Sequence, residues 1–154
     1  MTAALRVLSP VTGTVVAMAD VPDPVFAASL VGPGVAIEPD TEQGTEVRAP
    51  IDGTVVKLHP HAFVVQAADG RGVLVHLGIN TVQLDGEGFT LHVAEGDAVS
   101  AEQVLISWDI AAIAETGRST VCPVVALDAR TDAVGDLAEV DALAGAQTAL
   151  YTWS

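Results

Sequence analysis

The stretch HAFVVQAADGRGVLVH, residues 61–76, carries two of the chain's four histidines on what the pattern predicts as two arms of one hairpin. FVV follows His61 and VLV leads into His76. Between them Asp69-Gly70-Arg71-Gly72 is permissive enough to reverse the backbone. Residues directly opposite in an antiparallel pair, or diagonal to each other, share a face. A two-residue loop at Ala68-Asp69 sets His61 opposite His76; a turn centred on Asp69-Gly70 makes them diagonal neighbours. In both registers the imidazoles project from one side, and only a one-residue bulge separates them. On that pleat Phe63 and Val65 share the face of His61, and Leu74 that of His76. The prediction is a histidine pair in an apolar setting that disfavours imidazolium.

Neutral imidazole can act as metal ligand, general base or nucleophile. Spacing alone leaves three readings open. The pair can be ordinary half-buried residues bonded to backbone, a zinc site with His59 or His92 as third ligand, or a catalytic couple.

Outward from the hairpin, the chain reads as short strands and turns. SPVTGTVV (residues 9–16) recurs as APIDGTVV (residues 49–56), each copy a Pro-Gly turn feeding a β-branched run. Two copies predict pseudo-symmetric halves of one β-domain. Asp23 can cap a short helix with Pro24 at its first position and Gly32-Pro33-Gly34 after it; VAI (35–37) then reads as a strand. Phe26 lies in that helical turn and reads as core packing or as an exposed contact. LDGEGF (84–89) is a turn. LHVAEGDAVSAEQVLISWD has the strand-turn-strand form of barrel-sandwich domains. Asp109 caps a second short helix stopped by Gly117. VCPVVAL is a late strand, and LYTW near the C-terminus suits a closing one. The fold class expected is all-β: a β-sandwich or barrel-sandwich with an internal repeat, a duplicated hybrid motif, and one or two short helices.

With 154 residues and 50% hydrophobic content, one domain with a substantial core is expected over residues 1–154. At 4% aromatic, that core must be built largely from Val, Ile, Leu and Ala. No apolar run approaches the ~20 residues of a membrane helix. The N-terminal MTAALRVLSPVTG is too weakly apolar for a signal peptide. The single cysteine, Cys122, excludes an intrachain disulfide. A cytoplasmic location is expected, without membrane insertion, and neither end has the look of an interdomain linker. The formal charge of −14 argues against nucleic acid and suits a basic protein partner or simple dispersal in solution.

From Gly70 to Val82 the residues run Gly, two others, three apolar, His76, apolar, Gly, apolar, Asn80, Thr, Val. This strongly resembles the phosphorylation-site pattern of the glucose-type enzyme IIA domains of the bacterial phosphoenolpyruvate-dependent sugar phosphotransferase system. APIDGTVV, HAF, LDGEGF and VPDPVF agree as flanks, so the resemblance covers about residues 5–127 and leaves 128–154 as a C-terminal extension. It implies a phosphohistidine carrier, a phosphotransferase component. His76 would accept phosphate from the phosphocarrier HPr and pass it to a cysteine of the enzyme IIB domain of a sugar permease. His61 would contact the phosphoryl group and assist. Phe26 and Asp23 would belong to the surrounding partner-binding patch, with Asn80 where many members have Asp. No resident cofactor is implied, only zinc held transiently at a partner interface. A phosphorylation-dependent regulatory binding protein is the alternative within the family. Members often carry a hydroxyl residue just before HAF that orients the assisting histidine; this chain has LHPHAF, with His59 nearby.

Two rivals fit less well. A biotinyl or lipoyl carrier needs a lysine at a hairpin tip, and Lys57, the only lysine, lies in a strand. Lysostaphin-type zinc peptidases end in His-x-His, but here His59-Pro60-His61 precedes the hairpin and lacks the companion ligand pair.

Overall fold

The two copies of the Pro-Gly repeat take matching places in one large sheet of the computed structural model, which describes residues 4–154. Met1–Ala3, the start of the segment read against a signal peptide, lie outside the described residues. The sheet has eight strands in the order Leu143–Ala144, Gly13–Ala17, Gly34–Pro39, Cys122–Ala126, Gly72–His76, Ala62–Gln66, Gly53–His59 and Ala98–Val99. All neighbours are antiparallel. The repeat strands Gly13–Ala17 and Gly53–His59 each stand second from an edge. Each pairs outward with a two-residue strand and inward with a longer one. The duplicated glycine has a steric cause: a Cβ at Gly13 would lie 2.1 Å from the Glu38 carbonyl oxygen, and one at Gly53 2.2 Å from that of Gln66.

Two three-stranded sheets complete the structure among the described residues. One runs Leu5–Leu8, Ala149–Trp153, Val134–Gly135; the other Glu46–Arg48, Val104–Trp108, Phe89–Leu91. The all-β sandwich read from sequence is therefore what forms, without closure into a barrel. Its main core draws Val15, Ile37, Val55, Phe63, Val65, Val73, Val75 and Val124 from the large sheet. Val7, Val47, Ile106, Tyr151 and Trp153 come from the small ones. Burying each such side chain contributes about 1.5–3 kcal/mol relative to exposure. Residues 128–154 are woven into this architecture. LYTW lies in the strand Ala149–Trp153, with Leu5 opposite Trp153, and the Tyr151 hydroxyl donates to the Val124 carbonyl at 3.1 Å.

Both short helices form where their caps predict. Asp23 caps Pro24–Ala27, accepting from the backbone N–H groups of Val25 and Phe26 at 2.9 and 3.3 Å. Asp109 caps Ile110–Glu115 through Ala112 N–H at 3.1 Å. No helix among the described residues is long and apolar enough to cross a membrane.

The outer face of the large sheet carries a smaller apolar cluster: Met18, Val21, Ala36, Ile79, Val121 and Val125, with Val16, Phe26, Val31 and Leu74 packed against it. Along Gly72–His76 the side chains alternate, Val73 and Val75 buried in the main core and Leu74 on this outer cluster. His76 shares the side of Leu74.

Candidate functional site

The hairpin turns through three residues, Ala68-Asp69-Gly70, closed by Ala67 N–H donating to the Arg71 carbonyl at 2.8 Å. Gly70 has φ +96°, the left-handed residue that such a loop places after its turn. The odd loop length sets the register so that Ala62, not His61 or Phe63, stands opposite His76. This overturns both registers expected from sequence. Phe63 and Val65 lie in the main core and do not share a face with the site.

The histidine pair forms nevertheless, by another route. His59 pairs with Ala62 across a second, tighter hairpin, so Pro60-His61 is its two-residue turn. His61 precedes the strand and escapes the alternation that would send its side chain toward the core. Its ring centroid lies 5.1 Å from that of His76, the planes 70° apart. The sequence signal for this turn is Pro60 between two apolar runs, a residue that presets turn geometry.

His76 ends a central strand and is partly buried. Its Nδ1 lies 2.6 Å from the Gly78 carbonyl oxygen. A carbonyl only accepts, so Nδ1 carries the hydrogen and the neutral ring keeps its lone pair on Nε2. Gly78 adopts φ +78°, and a Cβ there would meet Thr81 Cγ2 at 2.7 Å and the Ser119 carbonyl oxygen at 2.8 Å. Ile79 N–H donates to that same Ser119 carbonyl at 2.9 Å, and the buried Thr81 hydroxyl to the Leu77 carbonyl at 2.7 Å. The Gly78 acceptor is thus held by a locked loop.

Both imidazoles favour the neutral form. Burial, then the charges of His76 and His59, hold the His61 pKa down at about 4. Burial also lowers that of His76, opposed by the Gly78 bond and the carboxylate of Asp23.

The capped helix brings Phe26 to the site, its ring centroid 5.3 Å from that of His76 at 59°, while the same side chain packs on the outer cluster. Phe26 therefore packs on the outer cluster and touches the His76 ring. Asn80 stands two residues beyond Gly78 in the left-handed region, φ +62°, where Asn is well tolerated. Its side chain is exposed, and its carbonyl accepts from Arg118 Nε at 3.2 Å. His59, exposed, stacks on His61 with centroids 5.7 Å apart and planes at 27°. His92 lies apart from this group, its Nε2 2.7 Å from the Ser107 hydroxyl. Among the described residues no three His, Cys, Asp or Glu side chains are grouped to hold a metal ion. Cys122 is buried, and burial pushes its thiol up, away from the reactive thiolate.

A family model described as "phosphoenolpyruvate-dependent sugar phosphotransferase system, EIIA 1" matches residues 5–131. The glucose-specific EIIA component of the phosphotransferase system from Oceanobacillus iheyensis is 42% identical over 123 residues, 79% of this chain and 73% of that protein. The component of the same description from Bacillus cereus is 45% identical over 121 residues, 77% of this chain and 72% of that protein. Among solved structures, glucose permease IIA from Mycoplasma capricolum matches with a TM-score of 0.88 at 28% identity. That match covers 98% of this chain and 96% of the other.

Proposed function

Because the chain belongs to the EIIA 1 family of the phosphoenolpyruvate-dependent sugar phosphotransferase system, we propose that it carries phosphate on Nε2 of His76, from HPr to an enzyme IIB domain. The observation that carries this reading is the 2.6 Å contact between His76 Nδ1 and the Gly78 carbonyl. It orients a neutral ring with its free lone pair on the other nitrogen, beside a second neutral imidazole.

In the transfer, Nε2 of His76 attacks phosphorus as the N–P bond of the donor's phosphohistidine breaks. A PO3 unit moves, and each ring keeps its own proton. Positive charge then develops on the His76 ring, where the Gly78 carbonyl accepts a strengthened bond from Nδ1–H. An N–H of His61 can meet a phosphoryl oxygen, which supplies the electrostatic help such a loose transition state needs. Onward transfer reverses the roles: the Nε2–P bond breaks as the acceptor's cysteine thiolate takes the PO3 unit.

Docking fits the surroundings. Val25, next to Phe26 in the capped helix, and Val82, on the segment that follows His76, are exposed apolar residues, and Asp23 and Asn80 add polar groups near the same site. An apolar patch with a polar rim is the usual anatomy of a protein contact, and the net charge of −14 suits basic partners. Two neutral imidazoles are also ligands that zinc accepts; a partner would have to supply the rest of the shell.

Incubation with phosphoenolpyruvate, enzyme I and HPr tests the assignment. One acid-labile phosphate per chain is expected for the wild type and none for His76→Ala. Labelling that persists in the folded His76→Ala protein refutes it.

A further inference from the structure

We propose that His59 is a positioning residue for phosphotransfer, its ring stacked on His61 to hold that imidazole nearly perpendicular to His76. The proposal deepens the reading of His76 as phosphoacceptor and rests on it.

The placement follows from two ladders. His59 stands opposite Ala62 in one hairpin, and Ala62 stands opposite His76 in the next. His59, Ala62 and His76 therefore form one row across three adjacent strands. Strand spacing puts the two outer residues of such a row about 10 Å apart. The His61 ring lies 5.7 Å from one and 5.1 Å from the other, so it sits between them, beside the small side chain of Ala62.

His61 needs such support. It stands in a two-residue turn, outside the strand whose packing would fix its rotamer, and it is half-exposed. Rotation about χ2 of an imidazole is broad, so the turn backbone alone does not set the ring plane. The near-parallel stack with His59, at 27°, supplies a flat wall on one side, and His76 bounds the other. Pro60 between the two rings limits how far their backbones can rotate apart. A group that must meet a phosphoryl oxygen within hydrogen-bond reach loses most of its effect when its plane swings away.

Three proteins test this: wild type, His59→Ala, which removes the wall, and His59→Phe, which keeps a flat ring. His59 is exposed, so the main core stays intact in both variants. Forward transfer to an enzyme IIB domain is measured as kcat and KM. In parallel, NMR contacts between the His61 and His76 rings are recorded in the unphosphorylated proteins. For His59→Ala a kcat lowered about tenfold is expected, with KM unchanged and the inter-ring contacts weakened. His59→Phe should restore both. Wild-type kcat and ring contacts in His59→Ala overturn the proposal, as does a His59→Phe protein no better than the alanine variant. The NMR measurement needs no phosphate donor. If the wild type itself accepts no phosphate, the phosphocarrier reading falls while the ring contacts still judge the stack.

Discussion

The carbonyl oxygen of Gly78 and Nδ1 of His76 lie 2.6 Å apart, so the His76 ring is oriented by a neutral backbone group two residues along its own chain. A carboxylate in that place would favour imidazolium and occupy the lone pair with a proton. The carbonyl fixes the tautomer with far less pull on the charge.

Phosphate is therefore expected on Nε2 of His76 and not on Nδ1. Nitrogen-15 NMR of the labelled, phosphorylated protein distinguishes the two isomers. A phosphate found on Nδ1 would mean that the Gly78 bond breaks before transfer.

Gly78→Ala should both destabilise the chain and impair phosphate uptake. The new Cβ must displace the Ser119 carbonyl or Thr81, in a backbone region that L-residues rarely adopt. A loss of about 1–3 kcal/mol in urea unfolding is expected. The surviving folded fraction should accept phosphate more slowly than wild type, because the acceptor for Nδ1–H has moved. Unchanged unfolding and labelling would show that the loop is softer than its contacts indicate.

His61→Ala should still take up phosphate yet pass it on poorly. In the roles proposed above, the nucleophile is untouched while the donor to the phosphoryl oxygens is gone, and a loss on the order of 100-fold in forward transfer is expected. Equal rates for wild type and variant would make His61 a packing residue.

Stability should fall in acid through the histidine pair. The folded His61 titrates at about 4, against an ordinary value of 6.5. Between these values the unfolded chain binds a proton that the folded chain refuses, so stability rises with pH across that window. The contribution is intact above about 6.5 and lost progressively down to about 4. His76, also lowered by burial, acts in the same direction. Since the His61 ring is half-exposed, water reduces the effect. Urea midpoints measured from pH 7 to pH 4 should drop more for wild type than for His61→Gln; parallel curves would remove His61 from the account.

Much of this was legible in the chain because local chemistry decided it. Asp23-Pro24 and Asp109 announce helix starts whatever surrounds them, and the Pro-Gly repeat announces two strands that need a backbone at close approach. The strand register was not legible. Ala68-Asp69-Gly70 supports a two- or a three-residue loop, and the choice is made by which valines reach the core. Once Phe63 and Val75 are buried opposite each other, Ala62 must face His76. His59 enters the expectation only as a candidate third zinc ligand for the same reason: its place in the row with Ala62 and His76 depends on two registers at once. Of the tail beyond Asp128 only LYTW reads as a strand; its partner, and the short strand Leu143–Ala144, are set by pairing with Leu5–Leu8 and Gly13–Ala17 at great sequence distance.

The pairing of Leu5 with Trp153 has a mechanical consequence. In that antiparallel pair the two chain ends leave from the same end of the ladder. Tension applied through them pulls across the rungs and opens them singly, as in unzipping, and the whole strand is never loaded in shear. Arg71 lies in the path of that tear: its guanidinium donates to the Trp153 carbonyl and stands 5.7 Å over the indole ring. A tug on the ends is thus felt early at the turn of the hairpin that carries His76. Tension between the two ends would load the hairpin that carries His76 before it loads the repeat strands.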